Sequence, residues 1–243
     1  MAEPVPTSTA GRLTTMASPP TSTATLVQDA PPKVVLLPPS ELEDLYPGEE
    51  QYYSFEQHTG IASYTSRYEI RLGQGPIGTL VEMRAEGTNR HFSLSKGLGE
   101  SAEVFISETE QWINLSEEGW QRLEQGGEEI DLLNFYASPD SAYAMMYPLF
   151  DSLQFDGWVD SGGDRQAIFR GGSTEALEVM QTLSLAWETI EGAEGTIEAR
   201  WSLDGYFSRI TIETRVDGFS MSAQRTVSDV GTTVVDPPLD LPG

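Results

Sequence analysis

Apolar and polar residues alternate with a period of two along much of this chain, which restricts it to a sheet with one buried face. The clearest stretch comes late. Ile197, Ala199, Trp201 and Leu203 alternate with Glu198, Arg200 and Ser202; Asp204-Gly205 follows, and alternation resumes through Tyr206, Ile210 and Ile212. An Asp-Gly pair between such runs predicts a two-residue type I′ turn with positive φ at both positions, because its twist matches that of the strands. Pairing Leu203 with Tyr206 sets Ala199 opposite Ile210 and Ile197 opposite Ile212, all on one face. A third strand, Phe219 to Val227, can close a meander. Earlier, Tyr64, Tyr68, Ile70 and Leu72 alternate with Thr65, Arg67, Glu69 and Arg71. Short strand-like runs follow at residues 80–86, 91–94, 103–107 and 111–115, and again after Trp120.

The middle of the chain changes period. Ser138-Pro139 reads as an N-cap followed by proline in the first turn. Ala142, Met145, Met146, Leu149, Phe150 and Leu153 then recur at helical spacing, with Pro148 placed to bend or break the run. A second helix starts near Ser173 and carries Ala176, Leu177, Met180 and Leu183 on one side. A short capped turn is also expected at Ser40 to Glu43. Strands, two helices and strands again predict an α+β domain: an antiparallel sheet with helices on one side.

The first forty residues belong to a different regime. They hold 8 of the 15 prolines and 7 threonines, and the first aromatic residue is Tyr46. Such a segment lacks the apolar surface to offset the entropy of ordering its backbone. The expected division is a disordered Ser/Thr/Pro-rich tether over residues 1–39 and a single domain over 40–243. Charges in residues 1–40 cancel, so the whole formal −24 lies in the domain. That surface repels phosphate backbones, and nucleic acid is excluded as a partner. With no cysteine, the chain makes no disulfide and uses no thiolate chemistry. Its longest early apolar run, Val34 to Leu37, is far too short to span a bilayer.

No motif spells out catalysis. Gly73-Gln-Gly75-Pro-Ile-Gly78 matches the dinucleotide fingerprint letter by letter, but a strand rather than a helix follows it, so it reads as a hairpin turn. The only histidines are His58 and His91, neither near a nucleophile elbow, and both read as structural or solvated. Asp156, Asp160 and Asp164, among Gly157, Gly162 and Gly163, lack the spacing of a calcium loop and read as a solvated turn. Asn114-Leu-Ser116 fits a glycosylation sequon. The expectation is a non-enzymatic protein without metal or cofactor. What remains is apolar: the Met145-Met146 helix face, the tryptophans at 112, 120, 158, 187 and 201, and the inward strand faces. These suit either a filled core or an adaptable apolar site.

Four further features carry a resemblance. They are the Ser63-Tyr64 opening strand, and the ladder from Val104 through Gln111-Trp112-Ile113 to Gly119-Trp120. They continue with the hairpin from Trp201 through Asp204-Gly205 to Ile210, and the ending from Val227 through Asp229 and Gly231 to Pro237. Residues 60–238 thereby resemble the bacterial lipoprotein-carrier superfamily, which includes the LolA and LolB carriers and the LppX/LprG-type lipoproteins. The resemblance implies a strongly curved antiparallel sheet, a half-open β-barrel, wrapped over helices. It also implies an apolar cavity between them that holds a lipid or another apolar molecule. It implies an extracytoplasmic protein, periplasmic or at the cell surface, with an anchor ahead of a flexible linker and the targeting segment absent from this chain. In such a fold Tyr68, Ile70, Val81, Met83, Phe92, Ile197, Trp201, Ile210 and Ile212 face the cavity from the sheet. Met145, Met146, Leu149, Phe150, Leu177 and Met180 face them from the helices. The alternative is an interaction or structural subunit of a surface assembly, with the same fold and a filled core.

Overall fold

The computed structural model describes residues 30–32, 34, 55, 59–73, 77–97, 99–115, 119–123, 133, 137–161, 163–183 and 192–242. The capped turn expected at Ser40, along with His58, Gly162 and Trp187, lies outside them.

Among the described residues, eleven strands form one open sheet: β1 (Ser63–Leu72), β2 (Ile77–Glu86), β3 (Asn89–Lys96), β4 (Ser101–Ile106), β5 (Gln111–Leu115), β6 (Trp120–Arg122), β7 (Gln154–Ser161), β8 (Asp164–Gly171), β9 (Glu194–Ser202), β10 (Phe207–Val216) and β11 (Phe219–Ser228). Their spatial order is β6-β5-β4-β3-β2-β1-β11-β10-β9-β8-β7. Every neighbouring pair is antiparallel. The chain therefore meanders outward to β6, crosses to the opposite edge and meanders back, so that its first and last strands meet in the middle. A flat sheet of this width would span about 50 Å at the usual strand spacing. Yet Val104 of β4 and Phe169 of β8 share one core cluster, so the sheet curls around a common interior. This is the curved α+β sheet expected from the sequence.

Among the described residues, two α-helices fill part of that interior. α1 (Pro139–Met146) starts where Ser138 accepts the Asp140 N–H at 3.1 Å, with Pro139 in the first turn. It ends before Pro148, and Leu149, Phe150 and Leu153 continue the buried surface through a turn and a 3-10 segment (Phe150–Ser152). α2 (Ser173–Leu183) buries Ala176, Val179 and Met180, and Leu177 is only half-buried. The expected face was therefore rotated by part of a turn: Val179 takes the inward position given to Leu177.

Between the helices the chain forms strands where a solvated turn is expected. The segment around Asp156 and Asp160 is the hairpin of β7 and β8, and its tip, not its length, is the turn. Alternation was obscured there by an irregularity between Phe155 and Gly157, which breaks the period of two.

The late hairpin has the expected register and a different turn. Ile210 pairs with Ala199 and Ile212 with Ile197. At the tip, however, Ser202 N–H donates to Tyr206 O at 2.8 Å and Gly205 N–H to Ser202 O at 3.1 Å, leaving a three-residue loop. Only Gly205 has positive φ, at 89°. Ser202 Oγ accepts the Asp204 N–H at 3.2 Å, a local bond that holds the loop start in a right-handed turn. A three-residue loop would shift the register by one and turn every inward side chain outward. A bulge at Ser208, between the pairs Phe207–Trp201 and Arg209–Arg200, restores the phase. The two-residue turn with positive φ at both positions occurs one hairpin later, at Asp217 (46°) and Gly218 (79°).

Candidate functional site

Among the described residues the inner face of the sheet is mostly apolar and tightly packed. Tyr68, Val81, Met83, Phe92, Ile197, Trp201, Ile210 and Ile212 are buried in one cluster with Met145, Met146, Leu149 and Met180, and Ile70 and Phe150 pack against it. Leu177 stands apart from that group. Phe92 and Met146 are 0 % exposed. Five of the chain's seven methionines (Met83, Met145, Met146, Met180 and Met221) lie in this cluster. Tyr143, Trp201 and Phe207 meet edge-on or tilted, with centroids 4.9–6.3 Å apart. A void wide enough for water leaves accessible area on its lining; apart from Ile70 and Phe150, which are half-buried, these side chains show almost none. A ligand entering here has to part them.

One inward residue went unread in the sequence. Arg225 of β11 is 4 % exposed and lies beside Tyr68, its guanidinium 5.5 Å from the ring centroid. Burial pushes its pKa down to about 10, against the pull of Tyr68 and Asp140, so it stays charged at neutral pH. Asp140, in the first turn of α1, accepts hydrogen bonds from the Phe55 N–H and the Ser138 hydroxyl. The signal was present: Arg225 occupies the inward phase of a strand whose other inward residues are Met221, Ala223 and Val227. Its charge disguised it as a solvent-facing position.

The outer face differs along its width. Across β7, β8 and β9, Arg170 bridges Asp156 and Glu198, and Arg200 reaches the other oxygen of Glu198. On β1, burial works to raise the Glu69 pKa, but hydrogen bonds from Arg71 and Arg67 outweigh it and hold the carboxyl below its usual range. Over β4, β5 and β6 the same face carries Phe105, Trp112 and Trp120 instead. Residues 233–242 run across them, with Val235 buried in the group and Leu241 packed against it. Two of the five tryptophans offered as core or site residues thus belong to a second, outward cluster. Beneath the crossing segment lies a cleft of about 530 Å³ lined by Arg84, His91, Glu103, Asn114 and Trp120. Arg84 lies within hydrogen-bond reach of His91 Nδ1, at 3.2 Å. Burial first, then the Arg84 charge, lowers the His91 pKa and keeps the ring neutral.

A further cleft of about 520 Å³ opens at the ends of β9, β10 and β11, between Ser173, Gly195, Thr214 and Met221. None of the sequence-predicted cavity residues lines either cleft. Among the described residues no group of three or more His, Asp or Glu side chains is placed to hold a metal ion. Nor is any described helix long and apolar enough to cross a membrane.

No family model matches the chain, and no curated protein matches it. Among solved structures, the chain is similar to LppX. That lipoprotein, from Mycobacterium tuberculosis, is 13 % identical, with a TM-score of 0.41 over 75 % of this chain and 93 % of the other. LprF from Mycobacterium bovis is 10 % identical, with a TM-score of 0.38 over 75 % and 91 %. LppX is one of the proteins named in the resemblance drawn from the sequence.

Proposed function

We propose that this is an extracytoplasmic, non-enzymatic protein that takes up a lipid or another apolar molecule between its sheet and helices. The observation that carries the reading is that the buried cluster between sheet and helices holds five methionines, Met145 and Met146 on α1, Met180 on α2, Met83 on β2 and Met221 on β11. Unbranched thioether side chains repack at low cost, so a methionine-rich seam can close on itself when empty and open around a guest. The extracytoplasmic setting rests on the sequence resemblance.

A filled core is the second reading, and the near-zero exposure of Phe92, Met146 and Ile197 favours it. The protein would then be a structural or interaction subunit.

An uncharged fluorescent fatty-acyl probe separates the two. For a carrier, the probe binds and quenches emission lost in Trp201→Phe, and Met146→Ala weakens binding more than it lowers stability. A filled core predicts no probe binding and a stability loss of about 2–5 kcal/mol for Met146→Ala. An anionic fatty acid is the wrong probe, since the −24 charge repels it at low salt.

A further inference from the structure

The inward face of the sheet changes character toward one end. Its end rung sets Gly195 of β9, Thr214 of β10, Met221 of β11 and Leu72 of β1 side by side. The next rung in the same phase, Ile197, Ile212, Ala223 and Ile70, lies in the main core or packs against it. On the end rung, by contrast, Leu72 is 48 % exposed, and Phe219, in phase with Met221, is 46 % exposed. The open cleft of about 520 Å³ is lined by Gly195, Thr214 and Met221 of this rung. Met221 also belongs to the methionine-bearing core, so the cleft adjoins the proposed apolar site.

Thr214 carries a group with no structural use. The residue is 3 % exposed, and its hydroxyl has no hydrogen-bond partner among the described residues. A buried hydroxyl left unpaired costs stability, and valine would fill the same space without that cost. The Ser173 hydroxyl on the opposite wall is satisfied, accepting the Gly195 N–H at 3.0 Å. Glu194 and Glu213 line the cleft against Arg215, an excess of negative charge that disfavours a carboxylate or phosphate.

We propose that this cleft seats the polar end of the guest, that the guest is an amphiphile with an uncharged hydroxyl or ester head, and that the Thr214 hydroxyl is its anchor. The inference rests on the carrier reading above. The tail passes the apolar lip of Leu72 and Phe219 and runs along Met221 into the core. In the empty protein the Thr214 hydroxyl is closed off from solvent, and Met221, its cross-strand partner, is the unbranched side chain that moves aside. A hydroxyl or ester oxygen of the guest then pairs with the group that the empty protein leaves unpaired.

The test uses the full chain and probes that share one fluorescent tail: a monoacylglycerol, the corresponding hydrocarbon and the fatty acid. Thr214→Val keeps the side-chain shape and should weaken monoacylglycerol binding by about 10-fold, the loss expected for one hydrogen bond to a buried group, while hydrocarbon binding stays unchanged. Thr214→Ser keeps the hydroxyl and should retain monoacylglycerol affinity; a merely structural threonine gives the reverse order, because valine preserves its packing and serine does not. With the surface charge screened by salt, the fatty acid should bind more weakly than the monoacylglycerol, and Glu194→Gln combined with Glu213→Gln should narrow that gap. Tighter binding of the acid overturns the uncharged class. Unchanged monoacylglycerol binding in Thr214→Val, or an equal loss for monoacylglycerol and hydrocarbon, overturns the inference and leaves the carrier reading standing. If no probe binds the wild-type chain, both fall.

Discussion

Asp204 and Asp217 each precede a glycine at the head of a hairpin, and only Asp217 is bent into the left-handed region. A side chain there costs about 1–2 kcal/mol, and aspartate reduces that cost by local hydrogen bonding. Valine has no such recourse. Asp217→Val should therefore destabilise the domain by about 1–2 kcal/mol in urea unfolding, and Asp204→Val by less than about 0.5 kcal/mol. Equal losses would show that the two turns are alike. Dipeptide identity alone could not separate them. What distinguishes them is Ser202, whose hydroxyl accepts the Asp204 N–H, and a neighbour's hydroxyl rotamer is not written in a turn signature.

At the scale of elements, the bulge at Ser208 does what the short turn was expected to do. Deleting Ser208 keeps the pairs Trp201–Phe207 and Arg200–Arg209 and removes only the unpaired residue. It should cost less than about 2 kcal/mol, mainly through local twist and the hydrogen bond from its hydroxyl to Arg200 O at 3.3 Å. Deleting Thr211 shifts everything downstream, moves Ile212 and Thr214 to the outer face, and should leave no cooperative transition by calorimetry. If both deletions melt alike, the register is not what holds this hairpin. Helix α2 is fixed by a different constraint. A side chain at Gly195 would meet the Ala176 Cβ at 2.8 Å and the Glu213 carbonyl at 3.0 Å, so the helix sits directly on β9. That closeness turns Val179 inward and leaves Leu177 at the margin. Helical spacing finds the stripe, but contact with the sheet sets its centre.

For the molecule as a whole, the seam between β1 and β11 joins the two ends of the domain in the middle of the sheet. Both meanders can form locally, and the seam closes them. We propose that residues 1–29 are a tether outside this closure. Their removal should change the melting temperature by less than about 3 °C, roughly 1 kcal/mol for a domain of this size. Removal through residue 39 should cost more, because Val34 packs against the main core. Identical melting of the two truncations would place the boundary at residue 40, as composition alone suggests.

The period of two and the proline positions determined most of the strands, the helix starts and the inward phase of Ala199 and Ile210, because each depends on neighbours a few residues away; the turn residues alone misplaced the loop between those two. Tertiary structure decided the rest. It placed Trp112 and Trp120 on the outer face, buried Arg225 beside Tyr68, and laid the last residues over the sheet as a strap. Each of these depends on which face of a strand looks inward and on what crosses it from far along the chain. Alternation shows that a strand has two faces; only the closed seam and the curl of the sheet decide which one is the interior.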